Sequence, residues 1–211
     1  MNGLAALCAP HGLMPMGALH EGGRTIALIG CDNTFWDVFR DSPEAQDGKP
    51  DPVDRWSGRV IAGLATAAEA DDHVFPFGGP PFAPFIAWAL ASGEAWQSPV
   101  GMLVHARAGL MISYRGALVW DRHLPLPDQT PANPCTSCAD RPCTTACPVD
   151  ALSADHGYDV PACKAYLDTT AGDACMSHGC QVRRACPVSH AFDRPSAQSA
   201  HHMRYFKGTG E

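Results

Sequence analysis

Two stretches of this chain end in Cys-Pro, and together they hold eight of its ten cysteines. The first reads CTSCADRPCTTACP: Cys135, Cys138, Cys143 and Cys147, followed by Pro148. The second spaces Cys163, Cys175, Cys180 and Cys186 more widely before Pro187. Side chains that must converge on a common centre force the backbone into tight turns, so these runs constrain the fold more than any apolar pattern. Thiolates are soft ligands suited to iron–sulfur clusters, zinc or copper(I). With no export signal in view, the thiols are expected to be reduced and to serve a metal or catalytic role rather than disulfides.

The first run has the spacing C-x2-C-x4-C-x3-C-P, two residues longer at one gap than the bacterial ferredoxin run C-x2-C-x2-C-x3-C-P. A cubane takes three thiolates from one tight turn, with backbone N–H groups free to donate to the sulfurs, and a fourth from elsewhere. Proline has no N–H and a fixed φ, so it leads the chain away. In two-cluster ferredoxins the last cysteine of such a run ligates the other cluster. Applied here, that rule predicts one [4Fe–4S] cluster on Cys135, Cys138, Cys143 and Cys186. It predicts a second on Cys147, Cys163, Cys175 and Cys180. Two structural zinc sites are the alternative, but zinc modules usually carry paired C-x2-C knuckles and only one C-x2-C occurs here. A single cluster with spare cysteines is a further alternative. Cys8 and Cys31 lie in apolar settings and read as buried small hydrophobes.

Composition narrows the remaining function classes. A net charge of −7 and the lack of a Lys/Arg cluster argue against a nucleic-acid partner. No apolar run reaches the length of a membrane span. The opening MNGLAALCAPHGLMPMGALH has no basic stretch ahead of its apolar patch, and His11 and Pro15 interrupt it, which argues against a secretory signal and for a cytoplasmic protein.

Along the chain, RTIALIGC (24–31) reads as a buried strand and NTFWDVFR (33–40) as a short helix capped by Asn33. Residues 42–54 are turn-rich. A helix is predicted from Asp54, with Trp56, Val60, Ile61, Leu64 and Ala67 as its apolar stripe. DHVFPF (72–77) reads as a strand, GGPPFAP as a rigid turn, and FIAWALASG (85–93) as a helix ending at Gly93. VGMLVH, GLMISY and ALVW, within 100–120, read as a three-strand meander. The four prolines of LPLPDQTPANP (124–134) mark a boundary. The expected fold is therefore α+β: an α/β region over 1–123, a Pro-rich linker over 124–134, a ferredoxin-like dicluster module over 135–190, and a terminal tail or helix over 191–211.

Other candidates read as structural. FPFGGPPFAP (75–84) lacks the spacing of a dinucleotide loop and is expected to be a turn packed by Phe75, Phe77 and Phe82. His105 and Tyr114 on the meander, and His201-His202 in the polar terminal stretch, are expected to be ordinary core or surface residues. No catalytic constellation is recognisable outside the cluster cysteines.

The stretch CKAYLDTTAGDACMSHGCQVRRACPV (163–188) resembles the iron–sulfur module of the epoxyqueuosine reductases, whose relatives include the reductive dehalogenases. PCTTACPVDAL (142–152) is similar to that family's first run, where Pro-Val-Asp-Ala-Leu leads into a short helix. SPVGMLVHARAGLMISYRGAL (98–118) resembles the segment preceding the module, which in that family belongs to a cobalamin-binding domain. No position matches the family's catalytic acid. SPEAQDGKPDPVDRWSGRVI and FPFGGPPFAPFIAWA look like stretches of small proteins labelled simply ferredoxin. The resemblance implies two [4Fe–4S] clusters that exchange electrons with a redox partner protein. Its alternatives are a reductase whose N-terminal domain binds cobalamin or flavin, and clusters with a purely structural role.

Overall fold

A computed structural model describes residues 3–126 and 131–210. The chain is a mixed α and β protein that divides into two compact units. The first comprises residues 1–95 and 112–131, the second residues 96–111 and 132–211. Segment 96–111, part of the expected N-terminal region, thus clusters with the cysteine-bearing part. Residues 127–130 of the expected linker lie outside the described residues.

In chain order the strands are β1 (Leu13–Glu21), β2 (Arg24–Cys31), β3 (Asp72–Val74), β4 (Ala95–Gln97), β5 (Leu103–His105), β6 (Tyr114–Trp120), β7 (Leu152–Ser153) and β8 (Gly157–Tyr158). The first unit is built on an antiparallel sheet of order β1-β2-β6-β3. β1 and β2 form a hairpin in which Glu21 pairs with Arg24 across Gly22-Gly23, both at positive φ. A two-residue turn of that kind matches the twist of the flanking strands and is open to glycine. β1 carries Pro15 at an irregularity in its register, which an edge strand tolerates because its outer face needs no N–H. Only β2, of this hairpin, is an expected strand.

The expected meander over 100–120 is not formed. β6 inserts between β2 and β3, whereas β5 pairs with β4. Burial decides this: Leu118 and Trp120 of β6 join the core that contains Ile29 of β2 and Ile61 of the long helix.

The helices of this unit are α1 (Leu4–Cys8), α2 (Phe35–Arg40), α3 (Pro43–Gln46), α4 (Pro52–Ala67) and α5 (Phe85–Ala91). Helix α4 starts two residues earlier than expected because Pro52 suits the first helical position, where a missing N–H is no loss. Its stripe buries Trp56, Val60, Ile61, Leu64 and Ala65, whereas Ala67 is exposed. α4 packs on β6, and a Cβ at Gly116 would stand 2.8 Å from the Ile61 side chain, so glycine lets helix and strand approach. Thr34, not Asn33, precedes α2, and its N–H donates to Asp32 Oδ1 at 2.7 Å. Phe35 and Phe39 of α2 meet the Trp56 ring edge-on, at centroid distances of 5.1 and 6.3 Å. Cys8 and Cys31 are buried in this core. In the loop before α5, Phe75 stacks on Phe77 at 5.0 Å, and Phe82, though 64% exposed, lays its ring against Gly79 of the turn, where a Cβ would stand 2.7 Å from it.

The second unit is a set of short helices: α6 (Pro134–Ser137), α7 (Val160–Leu167), α8 (Asp173–His178), α9 (Gln181–Ala185), α10 (Pro187–Phe192) and α11 (Ser196–Lys207). After Pro148 the chain turns at Asp150 and enters β7 rather than the short helix implied by the resemblance. α11 packs on α8 and buries Gln198 and Ser199. The core of this unit joins Val100, Val104 and Leu110 to Leu152 and Val182, and it contains two thiols, Cys143 and Cys186.

Candidate functional site

Each cysteine of the two runs is placed by a local device. Asn133 caps α6 by accepting the Cys135 N–H at 2.9 Å, and Pro134 opens the helix, which sets Cys135 in its first turn. Cys138 follows at the C-terminal end. Arg141 then adopts a left-handed backbone, and a single 3-10 turn, Pro142–Thr144, carries Cys143 inward. The Cys147 sulfur accepts the Ala151 N–H at 3.2 Å.

In the second run, Asp159 caps α7 by accepting the Ala162 N–H at 2.9 Å, and Cys163 sits in that helix. Cys175 lies in α8, which stops at Gly179 with φ 89. Cys180 occupies the N-cap position of α9, and Cys186 the junction between α9 and α10. Pro187 is the first residue of α10, so this Cys-Pro pair begins a helix that leaves the thiol behind.

All ten cysteines are free thiols. The structure brings the eight into two groups of four. Cys135, Cys138, Cys143 and Cys186 line one cavity of about 220 Å³, together with Ser98, Val104, Leu110 and Arg141. Burial pushes the Cys135 thiol up, Cys186 and Cys138 push it further, and Arg141 opposes them. Cys143 is raised by burial, then by Cys135 and Cys186.

The second group has the same character. Burial raises Cys163, a hydrogen bond from the Tyr158 hydroxyl at 3.5 Å lowers it, and Cys180, Cys147 and Cys175 raise it again. Cys180 is raised chiefly by burial, against N–H groups of Arg183 and Val182 and the Arg183 charge. Gln181 donates its amide to the Cys175 sulfur at 3.7 Å. Arg183 is partly buried and donates to the Leu110 carbonyl at 2.5 Å. Burial lowers its own pKa while Cys180 holds it up.

The consequence is chemical. Burial first, and then the neighbouring thiols, raise the pKa of Cys135, Cys143 and Cys163, which favours their neutral form. A thiol must lose its proton to ligate a metal, so binding of a cationic centre by such thiols would release protons. The groups are defined by this electrostatic proximity and by the shared cavity. Among the described residues no three His, Cys, Asp or Glu side chains stand close enough to hold a single metal ion.

The remaining candidates have structural roles. His105 is fully buried, and its Nδ1 accepts the N–H groups of Arg107 and Ala108 at 3.1 and 3.3 Å, fastening the turn after β5. Tyr114 lies in the other unit against Phe85, with its hydroxyl pKa raised by burial. His201 packs on Tyr205 within α11 at 4.7 Å. Sequence reasoning missed Ser98, Arg141 and Arg183 around the thiols. Of these, the two arginines carried a legible signal, as cations close in sequence to the cysteines. Among the described residues no helix is long and apolar enough to cross a membrane.

No model of a known protein family matches the chain, and no curated protein matches it.

Proposed function

We propose that this protein is an iron–sulfur electron carrier with two [4Fe–4S] clusters. Cys135, Cys138, Cys143 and Cys186 would hold one, and Cys147, Cys163, Cys175 and Cys180 the other. One observation carries the reading: the eight thiols sort into two fours, each with a member from the other's stretch of chain.

Each cluster, when bound, supplies reversible one-electron transfer. The rest is the work of the chain's own groups. Val104 and Leu110 give the first site an apolar wall that keeps water from the sulfurs. Arg141 at the first group and Arg183 at the second place positive charge beside the thiolates. The N–H donors to Cys147 and Cys180 act in the same sense. Reduction adds negative charge, so each of these groups favours the reduced state and raises the potential. The electrons would pass to and from a redox partner protein.

The test is iron and acid-labile sulfide analysis of protein purified without oxygen, followed by dithionite reduction monitored by electron paramagnetic resonance. Iron and sulfide in equal amounts, with signals that appear on reduction, are expected. Stoichiometric zinc without sulfide overturns the proposal.

A further inference from the structure

Tyr158 is 42% exposed, yet its hydroxyl donates to the Cys163 sulfur at 3.5 Å. Sulfur is larger than oxygen, so a bond to it is longer than one to a carbonyl. Three features hold the pair in that geometry. Tyr158 pairs with Leu152 of β7, and the next N–H, of Asp159, donates to the Ala151 carbonyl at 2.8 Å, so the backbone of the tyrosine is pinned. Asp159 also caps α7, and its carbonyl accepts the Cys163 N–H at 3.1 Å, which places the thiol one turn further on. Phe206 of α11 stacks on the Tyr158 ring at a centroid distance of 6.0 Å, 14° from parallel, and steadies the side chain. A ring so held has little rotamer freedom left to lose, which lets a hydroxyl at a half-open surface keep one acceptor.

We infer that Tyr158 is a positioning residue for the second cluster: its hydroxyl, hydrogen-bonded to the Cys163 sulfur, raises the reduction potential of the cluster held by Cys147, Cys163, Cys175 and Cys180. The inference rests on the cluster reading above. A phenol keeps its proton at neutral pH and a ligating thiolate offers only lone pairs, so the hydroxyl is the donor in both redox states. Hydrogen bonds to ionised acceptors are the stronger ones, and this one strengthens as reduction adds negative charge to the sulfurs. It therefore stabilises the reduced state more than the oxidised one, which moves the potential up. The hydroxyl keeps its hydrogen throughout, and the only transfer is of one electron between the redox partner and the cluster. Phe206 acts through Tyr158 alone, by holding the ring where the bond can form.

Tyr158→Phe removes the hydroxyl and keeps the ring, so it tests the bond without unpacking the surface. Purified anaerobically beside the wild type, the variant should hold as much iron and sulfide. In a potentiometric titration one of its two reduction waves should shift negative, so that at fixed potential the ratio of oxidised to reduced cluster rises about three- to tenfold, the range that one hydrogen bond spans. The shift should persist when Cys138→Ser empties the first site and vanish when Cys147→Ser empties the second; the reverse pattern overturns the assignment. Phe206→Leu keeps the hydroxyl but removes the ring that steadies it, and should move the same wave in the same direction by no more than Tyr158→Phe does. A larger move makes packing, not the bond, the cause and overturns the inference. Full loading of Tyr158→Phe with both waves unmoved also overturns it and leaves the cluster reading intact, as does loss of iron from that variant, which makes Tyr158 a structural residue. A wild type without iron and sulfide overturns both.

Discussion

Gly109 lies so close to Ser189 that a Cβ on the glycine would stand 2.4 Å from the Ser189 backbone nitrogen. The neighbouring Leu110 N–H donates to the Ser189 hydroxyl at 2.8 Å. Ser189 is three residues beyond Cys186, so the turn after β5 braces the helix that begins at the second Cys-Pro pair. Gly109 has φ +56, which adds backbone strain for any other residue. Gly109→Ala should therefore destabilise the protein by about 2–4 kcal/mol and, on the proposed cluster reading, lower its iron content. Denaturant unfolding and iron assay check this, and wild-type stability would show that the contact relaxes freely.

The proposed crossing of two cluster ligand sets makes a sharper demand. Cys147→Ser and Cys163→Ser belong to one group although they come from different runs. Each alone should remove about half of the iron, and together no more than that, because residues that act as a unit are not additive. Cys147→Ser combined with Cys138→Ser should remove nearly all. If Cys147 instead behaves as a partner of Cys138, the cross-over is wrong.

Glu44 is held by Arg59, whose Nε donates to it at 2.6 Å and whose Nη2 donates at 2.9 Å. The Arg59 bond brings its pKa down to about 2. A depressed carboxylate stabilises the fold above its unfolded pKa, about 4.3, and that contribution is lost as the pH falls toward 2. Because Arg59 is largely exposed, water screens the pair and the contribution stays below about 1 kcal/mol. Glu44→Gln should thus be slightly less stable at pH 7, and the difference should close between about pH 4.3 and pH 2. Denaturant titrations read by Trp36 and Trp56 fluorescence test the sign, and an equal deficit at both ends of that window would refute it.

Burial, with a smaller push from Asp32, lifts the Cys8 thiol to about 12. The thiolate is the reactive form, and Cys8 is fully buried. In the folded protein iodoacetamide at pH 8.5 should leave Cys8 unmodified, while denaturant should expose it to complete alkylation. Peptide mass spectrometry reads both states. Alkylation of native Cys8 at the rate of a free thiol would contradict its place in the core.

Several elements were legible from residues alone. The apolar run of β2 and the stripe of α4 are periodic and long, and such patterns survive tertiary context. The hairpin to β1 was also written in the sequence, as Gly22-Gly23 between two apolar runs, but Pro15 hid the strand. Only the sheet order, which puts β1 at an edge, makes that proline harmless. The expected meander failed for a related reason. Its strands are neighbours in sequence, yet β6 gains more by pairing with β2 and receiving Ile61 over Gly116 than by pairing with β5.

By itself the sequence singled out the eight thiols that the fold gathers into two groups, because spacing and the Cys-Pro endings are local properties of the chain. It also settled the local turns that present them, through Asn133, Asp159 and Pro187. Tertiary structure alone decided what surrounds the thiols. Segment 96–111 brings Ser98, Val104 and Leu110 to the cavity from 25 to 37 residues ahead of Cys135 along the chain, and Arg183 reaches back to Leu110. Such neighbours are selected by which buried faces fit together, and no spacing along one stretch of chain encodes that.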